Sequence, residues 1–358
     1  MATLISIIIP VRNEEAYIAA CLSSVLEFTL PLGVDIEILV MEGRSGDRTP
    51  ELVREFARAH SCVRLIDNPG RIQSTAVTLG AQSSGGAWIM RLDAHAVYPC
   101  NYLQLCYETA LRSGADNVGG VFITEPGGQG YSAQLVQALS THMFGVGNSG
   151  FRTGAKEGWA DTVPYGFYRR EVFENIGFLD ERLVRGQDYE FNRRLIATGG
   201  QIFRNPDIQI HYFNQPSLSA FYRKQFFLEA PYNAYMWYLA PYAFAWRHAI
   251  TGIFTLGFLG GITLGPIYPR LIGIPFVAVI VLYTALSILA AIQQAIRYKE
   301  PLHIFSLPLA FFLYHFVHGL GLLTGVLRLA TLTAPVQKIK EPWFGAGRLR
   351  AWPVNQKS

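Results

Sequence analysis

A carboxylate lies where the chain is predicted to begin a short helix, in the segment 186–190 with the sequence GQDYE. Gly186 marks the point before the predicted helix, and Asp188 then falls in the first helical turn. The positive end of a helix stabilises a negative charge, and a carboxylate with a free face can take a proton from a hydroxyl group. Asp188 is therefore a candidate general base. The alternative is that Asp188 is only a charge at a helix N-terminus, and this segment by itself favours that simpler interpretation.

Polar side chains follow four predicted strands, at the point where each strand ends. Ligands of open α/β sheets bind at the carboxyl ends of the strands, so four such groups on one edge predict a binding site. The residues of the four groups, most of them polar, are Pro10, Arg12, Asn13 and Glu14; Glu42, Gly43, Ser45 and Asp47; Asp67, Asn68 and Pro69; and Asp93 and His95.

The sequence has no glycine-rich phosphate loop of the dinucleotide or Walker type. A bound diphosphate therefore needs another counter-charge, and a divalent cation held by Asp93 and His95 fits this need. Carboxylate oxygen suits Mg²⁺ or Mn²⁺, and Mn²⁺ tolerates imidazole better. The alternatives are an ordinary loop histidine at position 95 and helix caps at Glu42 and Asp47.

The elements that must position these residues alternate between strands and helices. Apolar runs predict strands at 5–9, 34–40, 63–66 and 87–92. Helices are predicted between them, with Asn13 as the cap of the first and Thr49-Pro50 as the start of the second. This βαβα series predicts an α/β fold with a doubly wound, mostly parallel sheet.

Composition divides the chain of 358 residues into a mixed part and an apolar part. Residues 1–247 mix charged and apolar side chains, whereas residues 249–327 are almost free of charge.

The four cysteines have no metal-ligand spacing, so we expect them to be reduced. The apolar start at 4–9 is predicted to be a strand and not a signal peptide. The basic residues are dispersed, so no nucleic-acid partner is expected.

The apolar part predicts contact with a membrane. The aromatic segment 217–246 contains Arg223 and Lys224, which is typical of interfacial helices; the alternative is a helix packed on a soluble core. Three segments, 249–267, 271–296 and 302–327, each reach the roughly 20 residues that span hydrocarbon. Histidines within such segments invite a functional role, but we prefer hydrogen bonding to a neighbouring helix for the pair in the third segment. This pair is His315 and His318.

Four parts are predicted along the chain: a catalytic domain at 1–215, interfacial helices at 216–247, a membrane region with two or three spans at 248–330, and a basic tail at 331–358. The orientation is left open. Three spans place the tail outside, whereas its basic residues favour the inside. Either the segment 249–267 is re-entrant or interfacial, or the tail crosses. The basic residues concerned are Arg328, Lys338, Lys340, Arg348 and Arg350.

Five segments taken together resemble family 2 glycosyltransferases with the A-type nucleotide-sugar fold. One of them, 91–99, resembles the metal-binding stretch of a subgroup related to succinoglycan glucosyltransferases of the ExoA type. The resemblance covers about residues 4–210, in order and at plausible spacing. The five segments are 7–15, 42–49, 91–99, 161–166 and 186–190.

The resemblance implies a role for each matching position. Asp93 would bind a Mn²⁺ or Mg²⁺ ion on the diphosphate, with His95 beside it. Asp188 would deprotonate the acceptor hydroxyl for in-line, inverting attack. The nucleotide would lie against Pro10, Arg12, Glu14, Glu42, Asp67 and Arg71. Further candidates for acceptor binding or for a loop near the site are Trp159, Asp161, Gln187 and Gln225.

The sequence departs from the family pattern in four places. Glu42 stands where Asp is usual, Gln187 where Glu is frequent, and His95 where a second Asp is common. The Gln-x-x-Arg-Trp motif of processive members is incomplete after Gln225, which favours a single addition. The segment 131–158 is expected to hold a helix at 133–143 and then either a loop that closes over substrate or an ordinary connection.

These observations predict a membrane-bound inverting glycosyltransferase. It would transfer a hexose from a UDP-linked donor to a lipid-linked saccharide, with its catalytic domain on the cytosolic side of the inner (cell) membrane and several spans. The first alternative is a polyprenyl-phosphate hexose synthase. A non-catalytic nucleotide-sugar sensor is less consistent with the presence of both Asp93 and Asp188, and a transporter is less consistent with the few ionisable groups in the apolar segments.

Overall fold

The computed structural model describes residues 2–336. The predicted basic tail at 331–358 therefore lies largely outside the described residues, including Lys338, Lys340, Arg348 and Arg350. Within the described part, the chain forms two compact units. One consists of residues 2–123 and 155–211, and the other of residues 124–154 and 212–336. We call them the sheet unit and the helical unit.

A mixed sheet is built from eight strands within residues 2–336, in the order β3-β2-β1-β4-β7-β5-β8-β6. The pairs β1–β2, β1–β4 and β2–β3 are parallel, and the pairs β4–β7, β5–β7 and β6–β8 are antiparallel. The predicted α/β fold is confirmed, with its parallel part in the first four strands. The strands are β1 Thr3–Val11, β2 Val34–Glu42, β3 Val63–Asp67, β4 Trp88–Arg91, β5 Asn117–Glu125, β6 Gly158–Trp159, β7 Phe167–Arg169 and β8 Ile202–Phe213.

The helices of the sheet unit alternate with its first strands, as predicted. They are α1 Ile18–Leu26, α2 Thr49–Ala59, α3 Gln73–Ser83, α4 Tyr102–Ser113, α8 Arg170–Ile176 and α9 Gln187–Ala197. The helices of the helical unit are α5 Tyr131–Ser140, α6 Met143–Val146, α7 Gly150–Thr153, α10 Leu218–Lys224, α11 Ala230–Leu239, α12 Trp246–Leu264, α13 Ile274–Tyr298 and α14 His303–Ala330.

Strand β1 is buried on both faces, which explains its continuous apolar sequence. Ile7 and Ile9 belong to a cluster of buried apolar residues on one face of the sheet, and Ile8 belongs to a second cluster on the opposite face. All three residues are 0% exposed. Helix α3 approaches the second face closely at Gly80, where a Cβ atom would lie 2.6 Å from Ile8. The strand therefore joins the two layers of the core.

The predicted helix cap at Asn13 is wrong. Helix α1 begins at Ile18, and Asn13 has a left-handed φ of 56°. Its backbone N–H donates to Ser45 Oγ at 2.9 Å, and its side-chain oxygen accepts from the N–H of Gly46 at 2.8 Å. Asn13 therefore joins the loops after β1 and β2 instead of capping a helix.

In the helical unit, two helices are long and apolar enough to cross a membrane, Pro269–Tyr298 and His303–Ala330. Only 6% of the apolar window of the first is buried, compared with 50% for the second. The sequence predicted a third apolar segment at 249–267, and α12 forms there, but within residues 2–336 only the other two qualify. The predicted helix at 133–143 is present as α5, and α6 and α7 follow it.

The two histidines of α14 hydrogen-bond to neighbouring helices, as we preferred from the sequence. His315 Nδ1 lies 2.7 Å from the hydroxyl of Tyr283 on α13, and His318 Nδ1 lies 2.8 Å from Thr251 Oγ1 on α12. These bonds satisfy polar groups among apolar helices, where an unpaired group is costly. They give both histidines a structural role within the helical unit.

Candidate active site

The loop after β2 is folded around the carboxylate of Glu42. The backbone N–H groups of Arg44 and Ser45 donate to its two oxygens at 3.0 and 2.6 Å. Arg44, which has a φ of 56°, also forms an exposed salt bridge of 3.3 Å with Asp67. Glu42 and Asp67 were both predicted to bind the nucleotide. Both contact this loop instead, and neither lines the cleft described in the next paragraph.

An open cleft of about 540 Å³, solvent space included, lies at the carboxyl ends of the parallel strands. The space within it that water-sized molecules can enter is about 180 Å³, which is below the range of about 300–1,000 Å³ that is usual for drug-sized ligands. Four of the six predicted nucleotide residues and both predicted metal ligands line it: Pro10, Arg12, Glu14, Arg71, Asp93 and His95. Gly43, Asn68 and Gln73 also line it, and no sequence pattern had pointed to Gln73.

The loop after β2 ends in a second set of hydrogen bonds at Asp47. Its carboxylate accepts from the N–H and hydroxyl of Thr49 at 3.1 and 2.6 Å, and from the N–H of Glu15 at 3.1 Å. Thr49 is the first residue of α2. The arrangement agrees with the capping alternative for Asp47, which also ties the loops after β1 and β2 together.

Asp93 has a different partner on each carboxylate oxygen. Oδ1 accepts from Arg91 at 2.5 Å, and Oδ2 lies 3.9 Å from His95 Nε2. The other ring nitrogen of His95 lies 3.3 Å from Glu14. This hydrogen bond raises the pKa of His95 above its ordinary value; burial opposes the shift, and the charge of Asp93 adds to it.

Tyr98 fixes the backbone of Asp93. Its hydroxyl accepts from the N–H of Asp93 at 2.8 Å and donates to the carbonyl of the same residue at 3.0 Å. Burial, together with the neighbouring Tyr165, raises the pKa of Tyr98 well above its ordinary value. The phenol therefore remains protonated and able to donate.

The donor set fits a divalent cation held by Asp93 and His95. The separation of 3.9 Å between Oδ2 and Nε2 is below twice the metal–ligand distance of about 2.1 Å. Within residues 2–336, no group of three or more His, Cys, Asp or Glu side chains is arranged to hold a metal ion. The remaining ligands would therefore be water and the substrate's phosphates, as is common for Mg²⁺.

A second cavity of about 10 Å³, which is the space of about one water molecule, is lined by Asp188 and Gln187 at the start of α9. Gly186 has a φ of 75° there, and the Asp188 carboxylate accepts from the N–H of Tyr189 at 2.8 Å. Gln73 lines both this cavity and the cleft. The predicted base therefore lies in a cavity that adjoins the predicted nucleotide site.

Arg91 bonds to one of the two carboxylates and lines the cavity of the other. Its side chain lines the cavity with Asp188 and donates to Asp93, and its guanidinium lies 4.9 Å from the ring centre of Tyr165. Burial alone would lower the pKa of Arg91, but Asp93 and Asp188 raise it above its ordinary value. An arginine at the end of a buried strand could have pointed to this residue, but we predicted no role for Arg91 from the sequence.

Two buried networks hold α9 in place. Glu190 and Arg194 form a salt bridge, and Arg194 also donates to the carbonyl groups of Ile176 and Phe178 at 2.9 and 2.7 Å. Asn192 donates to Thr162 Oγ1 at 2.9 Å. Together these bonds connect the helix that carries Asp188 with the loops before it.

The remaining candidates lie elsewhere. Trp159 on β6 is 55% exposed and packs edge-on against Phe203. Asp161 raises the pKa of Arg204, although burial lowers it more. Neither Trp159 nor Asp161 is among the residues that line the two cavities. Gln225 belongs to the helical unit, in a π-helical turn.

Residues 6–177 match the family model described as glycosyl transferase family 2. The chain carries a family 2 glycosyltransferase domain. The resemblance that the five short segments indicated is thus confirmed. The matched range contains the whole cleft and ends before α9, so Asp188 lies outside it.

Two relatives and one solved structure show the extent of the similarity. A dolichyl N-acetyl-alpha-D-glucosaminyl phosphate 3-beta-D-2,3-diacetamido-2,3-dideoxy-beta-D-glucuronosyltransferase of Methanococcus voltae is 28% identical, over 90% of this chain and 97% of the relative. The succinoglycan biosynthesis protein ExoA of Rhizobium meliloti is 31% identical, over 59% of this chain and 64% of ExoA. The mannosyltransferase PcManGT from Pyrobaculum calidifontis, solved with GDP-Man and Mn²⁺, superposes with a TM-score of 0.58 at 15% identity, covering 92% and 87% of the two chains. This last similarity shows a shared A-type fold.

Proposed function

We propose that this protein transfers a hexose from a nucleotide diphosphate sugar, UDP-linked in our hypothesis, to a lipid-linked saccharide, with inversion at the anomeric carbon. The observation that carries the proposal is the position of Asp188 in a cavity that adjoins the cleft and shares Gln73 with it. A donor in the cleft and an acceptor hydroxyl near Asp188 would then be neighbours.

The cleft offers the nucleotide two kinds of contact. Arg12 and Arg71 line it and can pair with phosphate oxygens. Asp93 and His95 would hold Mn²⁺ or Mg²⁺, which when bound stabilises negative charge on the leaving diphosphate. PcManGT, which shares the fold, forms a complex with GDP-Man and Mn²⁺, and this supports a metal-bound nucleotide sugar as the donor class.

Asp188 would act as the general base. Its carboxylate accepts the proton of the acceptor hydroxyl while the hydroxyl oxygen forms a bond to the anomeric carbon. The bond from that carbon to the diphosphate breaks on the opposite side, and its electron pair leaves with the diphosphate. The product is a glycoside of inverted configuration and a nucleoside diphosphate.

The helical unit supports an acceptor that resides in a membrane. Helix α13 is apolar, its buried residues are confined to 287–295, and α14 is also long enough to span. The Methanococcus voltae relative is named for a dolichyl-linked sugar phosphate. We therefore place the protein in the inner (cell) membrane with more than one span and with the sheet unit on the cytosolic side, where nucleotide sugars occur.

Product analysis tests this proposal. Membranes containing the protein would receive UDP- and GDP-sugars in turn, with Mn²⁺ and either a lipid-linked saccharide extract or a polyprenyl phosphate. The proposal predicts a new glycosidic bond on the saccharide lipid, with an anomeric configuration opposite to that of the donor by NMR. Transfer to the polyprenyl phosphate alone would instead indicate a polyprenyl-phosphate hexose synthase. No product with any donor would withdraw the acceptor assignment and favour a sensor.

A further inference from the structure

Arg91 is a buried arginine at the end of β4, and 7% of it is exposed. Its guanidinium donates to Asp93 Oδ1 at 2.5 Å and lies over the ring of Tyr165. Tyr165 has a left-handed φ of 63°, which is uncommon for an aromatic residue and costs free energy. The structure thus retains a strained conformation at the residue that faces this guanidinium.

The cavity of Asp188 lies against the same arginine, and Tyr165 lines it as well. Arg91 and Asp188 both line that cavity, and each carboxylate, Asp93 and Asp188, interacts favourably with the arginine charge. Gln73 donates to Asp93 Oδ1 at 3.4 Å and accepts from the side chain of Gln187, so it extends the connection from Asp93 to the start of α9. A guanidinium has five donors in a rigid plane, which is enough to serve partners on two sides.

We propose that Arg91 is a positioning residue that joins the donor side of the site, at Asp93, to the acceptor side, at Asp188. This inference rests on the proposed function for the roles of the two carboxylates. By holding Oδ1, Arg91 leaves Oδ2 of Asp93 directed towards His95. Its charge, at the same time, orients the carboxylate of Asp188 within the cavity.

Arg169 offers a matched control. Its guanidinium lies 4.7 Å from the ring centre of Trp88 and 3.8 Å from Asp116, so it resembles Arg91 in stacking on an aromatic ring beside an aspartate. It lies on β7, which pairs with β4, but is not among the residues lining either cavity. The side chain of Arg169 is 32% exposed, compared with 9% for Arg91, so the comparison is made on binding and turnover of the folded variants and not on their stability.

The test compares R91Q and R91K with R169Q. Thermal unfolding of each variant is recorded first, and calorimetry then measures nucleoside diphosphate binding with and without Mn²⁺. Because residues that orient a metal ligand typically change affinity or activity by about 10- to 100-fold, we expect R91Q to lose that factor in Mn²⁺-dependent binding and in kcat. We expect R91K, which keeps the charge but lacks the planar fork, to fall between R91Q and the wild type, and R169Q to match the wild type.

A double-mutant cycle separates positioning from a direct role. If Arg91 acts partly through Asp188, R91Q must lower kcat less in a D188N background than in the wild type. The proposal would be overturned if folded R91Q and R169Q had equal nucleotide binding and equal kcat. If R91Q does not fold, R91K with wild-type binding and kcat would overturn it instead. If the wild type shows no transfer, the proposed function fails, and the role of Arg91 is then judged on Mn²⁺-dependent nucleotide binding alone, where equal affinities of folded R91Q and R169Q would overturn it.

Discussion

Glu190 and Arg194 form a salt bridge of 2.6 Å in which 1% and 0% of the two side chains are exposed. They lie one turn apart on α9, the helix that begins with Gln187 and Asp188. Arg194 also donates to the loop 176–178. The orientation of the candidate base therefore depends on a buried ion pair whose charges are satisfied from both the helix and the loop.

Removing one partner of this pair should destabilise the sheet unit strongly. We expect Glu190→Ala to lower the free energy of unfolding by about 3–5 kcal/mol, because it leaves the Arg194 charge buried and uncompensated. Denaturant unfolding in detergent, followed by tryptophan fluorescence, measures this. The matched control is Glu51→Ala, which breaks the exposed pair with Arg54 and should cost at most about 1 kcal/mol. Equal effects of the two substitutions would contradict the structural role of the buried pair.

The part of the fold that the sequence predicted correctly consists of elements with strong local signals. Strands β1 to β4 are short apolar runs bounded by polar loops, and buried parallel strands have this pattern. Their carboxyl ends define one edge of the sheet, which is why Pro10, Arg12, Asp93 and His95 meet in one cleft. The position of a residue at the carboxyl end of a strand is therefore enough to predict that it lies near the other residues of the cleft.

Contacts that depend on side-chain direction were not predictable in this way. Glu42 and Asp67 occupy the same edge, but Glu42 accepts the N–H groups of its own loop and Asp67 pairs with Arg44. Gln73 joins the two cavities only because α3 packs closely on β1. Periodicity likewise gave no sign that 124–154 groups with the helical unit, because this depends on contacts distant in sequence.

Glu42 should affect nucleotide binding through the loop that follows it. Glutamine provides one acceptor oxygen where Glu42 provides two, so one N–H of Arg44 or Ser45 would face an amide group. Because a hydrogen bond to a charged group contributes about 1.5–3 kcal/mol, we expect Glu42→Gln to weaken nucleotide binding by about tenfold or more, measured by calorimetry. The control is Glu55→Gln on the exposed face of α2. Unchanged affinity in Glu42→Gln would show that the loop does not contribute.

The four cysteines are all free, and they should differ sharply in reactivity. Burial, with smaller contributions from Asp93 and Glu14, raises the pKa of Cys21 to about 12, and burial also raises the pKa of Cys106. Since the thiolate is the nucleophile, on the order of one in ten thousand Cys21 thiols is reactive at pH 8. We expect iodoacetamide to label the exposed Cys100 first and both buried cysteines only in denaturant.

Mass spectrometry of the labelled protein checks this order. Cys100→Ser should remove the fast native labelling and leave the labelling in denaturant at the other three positions. Modification of Cys21 in the native protein at the rate of Cys100 would show that the core between β1 and α1 opens readily.

Helix α13 should be required for tight membrane association. Val281 and Leu282 lie near its middle and are 63% and 60% exposed. A lysine at the centre of a span costs about 2.5–3.5 kcal/mol in insertion, so we expect replacing both by Lys to lower the fraction of protein that stays in the membrane pellet after carbonate washing. Leu111→Lys, at a site 58% exposed on α4, is the control and should leave this fraction unchanged. Retention of the double variant at the wild-type level would argue against α13 as a span.

The most direct test of the proposed mechanism is the turnover of Asp188→Asn. We would measure nucleoside diphosphate release by membranes containing the wild type, this variant and Asp207→Asn, an exposed aspartate on β8, with the donor, Mn²⁺ and saccharide lipid. We expect a loss of about 10²-fold or more for Asp188→Asn, the scale of general-base catalysis, with nucleotide binding retained and Asp207→Asn fully active. Turnover of Asp188→Asn at the wild-type rate would contradict the role of Asp188 as the base and favour an acceptor, such as a lipid phosphate, that is already ionised.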